Sequence, residues 1–139
     1  MKIPRIAPAL AAGATLLLGA VPASALLPLE SLVGLGYLEV ALDTSRFPEA
    51  QVATIRVVNV SDFPIEGTIP GCVTVFEPKD SRLSPLAPRE SGRFTVGARQ
   101  TIQVTRLFRL LEPGKRPPDG GAYELSEHPL RHDLSKCPR

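Results

Sequence analysis

The chain has no Trp, one Met, two His and two Cys, and aromatic residues make up only 5% of it. Each scarcity removes a class of chemistry. The two cysteines stand 65 positions apart, so there is no C-x-x-C motif and no redox-active dithiol is read here. No G-x-S-x-G nucleophile elbow occurs, and no acid–base–nucleophile trio emerges. Gly34-Leu35-Gly36 lacks both a third glycine and a preceding strand, so it is not a dinucleotide loop. The arginines between residues 89 and 116 have only Phe94 and Phe108 among them, too few rings to stack bases. Excess charge is missing as well. Beyond residue 25 the chain carries 14 basic and 14 acidic side chains, which argues against non-specific binding to nucleic acid or to membranes.

What is present begins with an export signal. Lys2 and Arg5 precede an apolar run from Ile6 to Val21, broken by Pro8 and Gly13, and Ala23-Ser24-Ala25 offers the small residues of a cleavage site. Residues 1–25 therefore read as a signal peptide cut before Leu26, too short and too broken for a span of about 20 apolar residues. No Cys follows the cut and no apolar tail ends the chain, so a stable membrane anchor is not expected. The expectation is an exported protein, periplasmic or secreted, of 114 residues. That length suits one domain: a lead-in over 26–36, then a sandwich over 37–139. In an oxidising compartment Cys72 and Cys137 have one possible pairing, which would pin the C-terminal tail to the middle of the domain. The loop-entropy model values such a closure at about 4 kcal/mol.

Past the signal, period-two alternation replaces helical periodicity. Leu38, Val40 and Leu42 alternate with Tyr37, Glu39 and Ala41; Ala53, Ile55 and Val57 alternate with Thr54, Arg56 and Val58. Val73 and Val75 flank Thr74, Phe94 and Val96 mark a short strand, and Thr101 to Leu111 gives a longer one. The pattern slips at Thr105 to Leu107, where a bulge would bring Leu107 inward. Residues 122–125 read as a last strand. Prolines 48, 64, 70, 78, 85, 88, 113, 117 and 118 are placed between strands, where a missing N–H costs no ladder bond. Six or seven short strands in one all-β, antiparallel, immunoglobulin-like sandwich are expected.

Three constellations carry possible chemistry. Asp43-Thr44-Ser45 resembles the Asp-Thr-Gly/Ser turn of aspartic proteases, whose two copies share one proton between carboxylates. Only one copy is present, so a protease of this kind would have to be a dimer, and the cation of Arg46 opposes proton sharing. Asp43 reads as a strand-ending turn and no catalytic residue is assigned, a dimeric aspartic-protease-like enzyme being the enzymatic alternative. His128 and His132 are candidate metal ligands beside Glu127, Asp133 and Cys137. With Pro129 breaking helical spacing they read as exposed tail histidines, and neither metal nor cofactor is expected. Charge is segregated along the chain: residues 26–80 hold three basic and eight acidic side chains, residues 89–116 seven basic and two acidic. Two solvated faces explain this, and a basic edge for an acidic partner is the sharper alternative. Asn59-Val60-Ser61 fits a glycosylation sequon and reads as a turn asparagine.

Val40 to Arg46, Ala53 to Asn59 with Ser61-Asp62-Phe63-Pro64, Leu83-Ser84-Pro85, Phe94 to Val104 and Gly121 to Leu125 follow one another in a familiar order. Together, over about residues 38–129, they resemble the N-terminal immunoglobulin-like domain of PapD-like periplasmic pilus chaperones. The resemblance implies a non-enzymatic protein that lends an edge strand to an incomplete pilus or surface subunit. It also implies that a basic residue of the first strand anchors the subunit's terminal carboxylate, a position that Arg46 matches. From the residues after Pro129, the family's second domain and donor strand are not expected here. A free-standing secreted or envelope module is the rival expectation.

Overall fold

The computed structural model describes residues 26–126. The expected signal peptide, and the tail bearing His128, His132 and Cys137, lie outside the described residues. Within them the chain is an all-β sandwich in one domain, its two layers facing a common core.

The larger layer is built on the alternation visible in the sequence. Strand β2 (Leu38–Asp43) follows a two-residue strand β1 (Leu27–Pro28) and a short helix α1 (Leu29–Gly34). Leu38 and Leu42 of β2 face inward while Glu39, Ala41 and Asp43 face solvent. A one-turn helix α2 (Phe47–Ala50) leads to β3 (Val52–Asn59), which buries Ala53, Ile55 and Val57. The antiparallel register runs from Leu38 opposite Asn59 to Asp43 opposite Thr54. On its other side β3 pairs with the ten-residue β8 (Thr101–Leu110), from Val52 opposite Leu107 to Val58 opposite Thr101. Three short strands extend this layer: β5 (Phe76–Pro78), β6 (Leu86–Pro88) and β9 (Tyr123–Leu125), in the order β9-β5-β6-β8-β3-β2. The layer curls so far that β9 returns beside β2, with Cα atoms of the two strands within 8 Å but no pairing between them.

The smaller layer consists of β4 (Ile65–Ile69) and β7 (Gly92–Val96), antiparallel from Ile65 opposite Val96 to Ile69 opposite Gly92, with β1 added in parallel at Gly67 and Thr68. Helix α1 lays Leu29 and Leu32 into the core and ends in a Schellman arrangement. There Tyr37 N–H donates to Leu32 O and Gly36 N–H to Val33 O, with Gly36 at φ 86°. The segment read as a lead-in thus supplies two core side chains. Between the layers Phe76 and Phe108 meet edge to face, their ring centroids 5.9 Å apart.

Several sequence expectations give way. Val73 to Val75 is a turn, with Cys72 at φ 62° and Thr74 N–H bonded to Pro70 O, so Val73 is exposed while Thr74 and Val75 are buried. Strands β4 and β6 form where none was expected, and Pro78 and Pro88 sit at the ends of strands rather than between them. Strand β8 does not slip. Its alternation continues unbroken, so Arg106 takes the inward phase and Leu107 stands 47% exposed. The guanidinium of Arg106 lies over Gly92, which leaves the room a side chain would fill.

Candidate functional site

The turn joining β2 to α2 holds the two residues singled out for chemistry, Asp43 and Arg46. Asp43 ends the alternating strand on its solvent side and accepts a 2.9 Å hydrogen bond from Ser45 N–H. That backbone bond, aided by the Ser45 side chain, holds the Asp43 carboxyl below its ordinary range. A proton-sharing aspartate needs the opposite shift and a second carboxylate, and among the described residues none is hydrogen-bonded to Asp43. The local geometry is that of a turn.

Arg46 is presented differently. Its backbone caps α2 at φ −97° and ψ 2°, and Phe47 N–H reaches back to Thr44 O at 3.0 Å. Thr44, fully buried, and Phe47, 4% exposed, flank the position. These two anchors fix the turn while the Arg46 side chain is exposed, and no described residue pairs with its guanidinium. Thr44 Oγ1 is itself buried and has no hydrogen-bond partner among the described residues, a state that ordinarily costs about 1–3 kcal/mol. Helix α2 then stops at once, because Gln51 adopts φ 57° and returns its N–H to Phe47 O at 2.8 Å. The turn is therefore a rigid mount for one uncompensated cation beside the rim of the larger layer.

The other sequence candidates fall elsewhere. Cys72 is 4% exposed and is not a free thiol, with its N–H on Pro88 O at 2.8 Å; its expected partner Cys137 lies outside the described residues. The same holds for His128 and His132. Among the described residues no group of three His, Cys, Asp or Glu side chains converges as a metal site would require. Asn59, of the glycosylation-like triplet, is 1% exposed and fully engaged. Its Nδ2 donates to the carbonyls of Phe63, Val96 and Gly97, and its Oδ1 accepts from Ser61 N–H and Ser61 Oγ. It is a staple between loops, closed to modification in the folded state.

The segregated charge was legible in the sequence, but which basic residues stay uncompensated was not. Arg99 pairs with Asp62, Lys115 with Glu112 and Arg116 with Asp119. Arg89, Arg93 and Arg106 have no carboxylate among the described residues. The chain matches no protein-family model, no curated protein and no solved structure.

Proposed function

We propose that this protein is an exported, non-enzymatic binding module that captures another polypeptide by its end, with Arg46 as the anchor for a carboxylate. A chaperone-like accessory of pilus or surface assembly is the specific role this reading favours, and a Cys72–Cys137 bridge would suit its compartment. The observation that carries it is the exposed guanidinium of Arg46, free of any described partner and mounted between buried Thr44 and Phe47. A planar fork held in this way suits bidentate contact with a carboxylate.

The mode of capture follows from spacing. An inserted strand needs about 9–10 Å between its neighbours, twice the usual separation of paired strands. Strand β9 approaches β2 within 8 Å, so a guest chain does not enter between them. The guest's end is held at the turn instead, with its remaining residues lying outside the seam.

Fluorescence anisotropy tests this with a labelled octapeptide of alternating Val and Thr, prepared with either a free or an amidated C-terminus. The free acid should bind at least about tenfold more tightly, and Arg46→Ala should reduce it to the level of the amide. Arg46→Lys should restore part of the difference. Equal binding of acid and amide, or an unchanged affinity in Arg46→Ala, would refute the anchor.

A further inference from the structure

Three of the arginines left without a carboxylate partner among the described residues gather at one place, the beginning of β7. Arg89 follows β6, and its N–H donates to Leu107 O at 2.9 Å, which fixes it beside β8. Arg93 belongs to β7 itself and is exposed. Arg106 reaches from β8 across to Gly92, its Nη2 and Nε 3.1 and 3.2 Å from where a Cβ on that glycine would sit. Among the described residues its guanidinium donates one hydrogen bond, to the carbonyl of its neighbour Thr105 at 3.0 Å. Glu90 is the only acid between residues 89 and 111. Against this end of β7 lies an open hollow of about 360 Å³, lined by Thr68, Pro70, Ser91, Gly92 and Arg93.

The same strand has an unpaired edge. Strand β4 takes one side of β7, and no described backbone group bonds the other side from Gly92 to Thr95. Of the other sheet ends, β9 lies against β2, and β1, at the opposite end of the smaller layer, is only two residues long. An open edge presents N–H and C=O groups in alternation, and what satisfies them is another main chain. A second copy of this protein, paired edge to edge, would bring Arg93 close to its own counterpart, and like charges in that position repel. A nucleic acid would need aromatic faces, and Phe94, the ring on β7, is only 6% exposed.

We propose that the edge of β7 binds an extended acidic peptide segment, added as a strand and registered by Arg89, Arg93 and Arg106. The site is separate from Arg46 and does not depend on its role. The probe is a labelled, N-acetylated and C-amidated octapeptide of alternating Glu and Val, compared with its Lys-Val counterpart and with a version N-methylated at alternate residues. The Glu-Val peptide should bind, the Lys-Val peptide should not, and N-methylation along the pairing side should weaken binding about tenfold or more. Arg89→Ala combined with Arg93→Ala, both exposed positions, should lower affinity at least tenfold, while Arg46→Ala should leave it unchanged. Bound peptide should slow amide hydrogen exchange within residues 92–96. Protection confined to β2, equal binding of both peptides, indifference to N-methylation, or tighter binding of a dT12 oligonucleotide than of the peptide would each overturn the proposal.

Discussion

Asn59 closes β3 in one layer, Val96 closes β7 in the other, and a 3.2 Å hydrogen bond from the Asn59 amide to the Val96 carbonyl ties the two layers together. The same Nδ2 serves Phe63 O at 2.8 Å and Gly97 O at 3.1 Å, so two hydrogens are shared among three carbonyls. Without that amide the Val96 and Gly97 carbonyls lose a donor, Phe63 O keeps only the Ser61 hydroxyl, and the loops on either side of the bond would separate.

Asn59→Ala removes that shared donor and should destabilise the fold by about 2–3 kcal/mol. Asn59→Asp should cost at least as much, because it removes the donor and buries a charge. Urea denaturation of the three proteins, followed by circular dichroism, measures this. A loss below about 0.5 kcal/mol for the alanine variant would show that the staple contributes little.

Gly67 sits on β4 where Leu32 and Phe94 cross. A Cβ there would lie 2.7 Å from both Leu32 Cδ1 and Phe94 Cζ. Gly67→Ala should therefore overpack the core and lower stability by about 1–3 kcal/mol. Gly114→Ala is the matched control, since nothing lies within 4 Å of its Cβ position, and it should change stability by less than about 0.5 kcal/mol. Thermal melts of the pair should separate clearly.

Tyr123 donates its hydroxyl to Ser84 O at 2.7 Å inside the core, and burial pushes its phenol up to about 12, with the charges of Asp119 and Asp80 adding to the shift. The folded state favours the neutral phenol. Its contribution is complete below the ordinary value of 10 and is lost as pH rises from there through about 12. Tyr123→Phe should flatten stability against pH in that alkaline window, while costing about 1 kcal/mol at neutral pH through the lost hydrogen bond. At the acid end the Arg82 guanidinium bonded to Asp80 holds that carboxyl at about 2, against an ordinary 3.8. Its contribution is present above the ordinary value and lost as pH falls between the two. Asp80→Asn should remove that segment of the acid titration. An unaltered alkaline limb in Tyr123→Phe would contradict the assignment.

Period-two spacing made β2 and β3 readable, because Leu38, Leu42, Ala53, Ile55 and Val57 must all leave water on one side of an extended chain. The twelve prolines after residue 25 supported the same fold class, since they leave little room for helix. The segments from Ile65 to Ile69 and from Leu86 to Pro88 were not readable. A central glycine weakens the first pattern, and a single three-residue run makes the second, so both depend on neighbours to become strands. Val73 and Val75 misled for the converse reason: their alternation is genuine, but Cys72 at φ 62° turns the chain before a strand can start.

Arg46 could be singled out from the sequence because the resemblance carried by Val40 to Arg46 gives its position a role, and that stretch is local. Arg106 could not. Its inward phase on β8 makes sense only beside Gly92, which is close in space through the facing layer and fourteen positions away in the chain. Local hydrophobic spacing therefore determined that this protein is a sandwich and where its first strands run. Which arginines are left uncompensated, and which strand edge stays open beside them, was decided only when the two layers closed. Ion pairing falls off within a few ångströms, and those distances are set by contacts between residues remote in sequence.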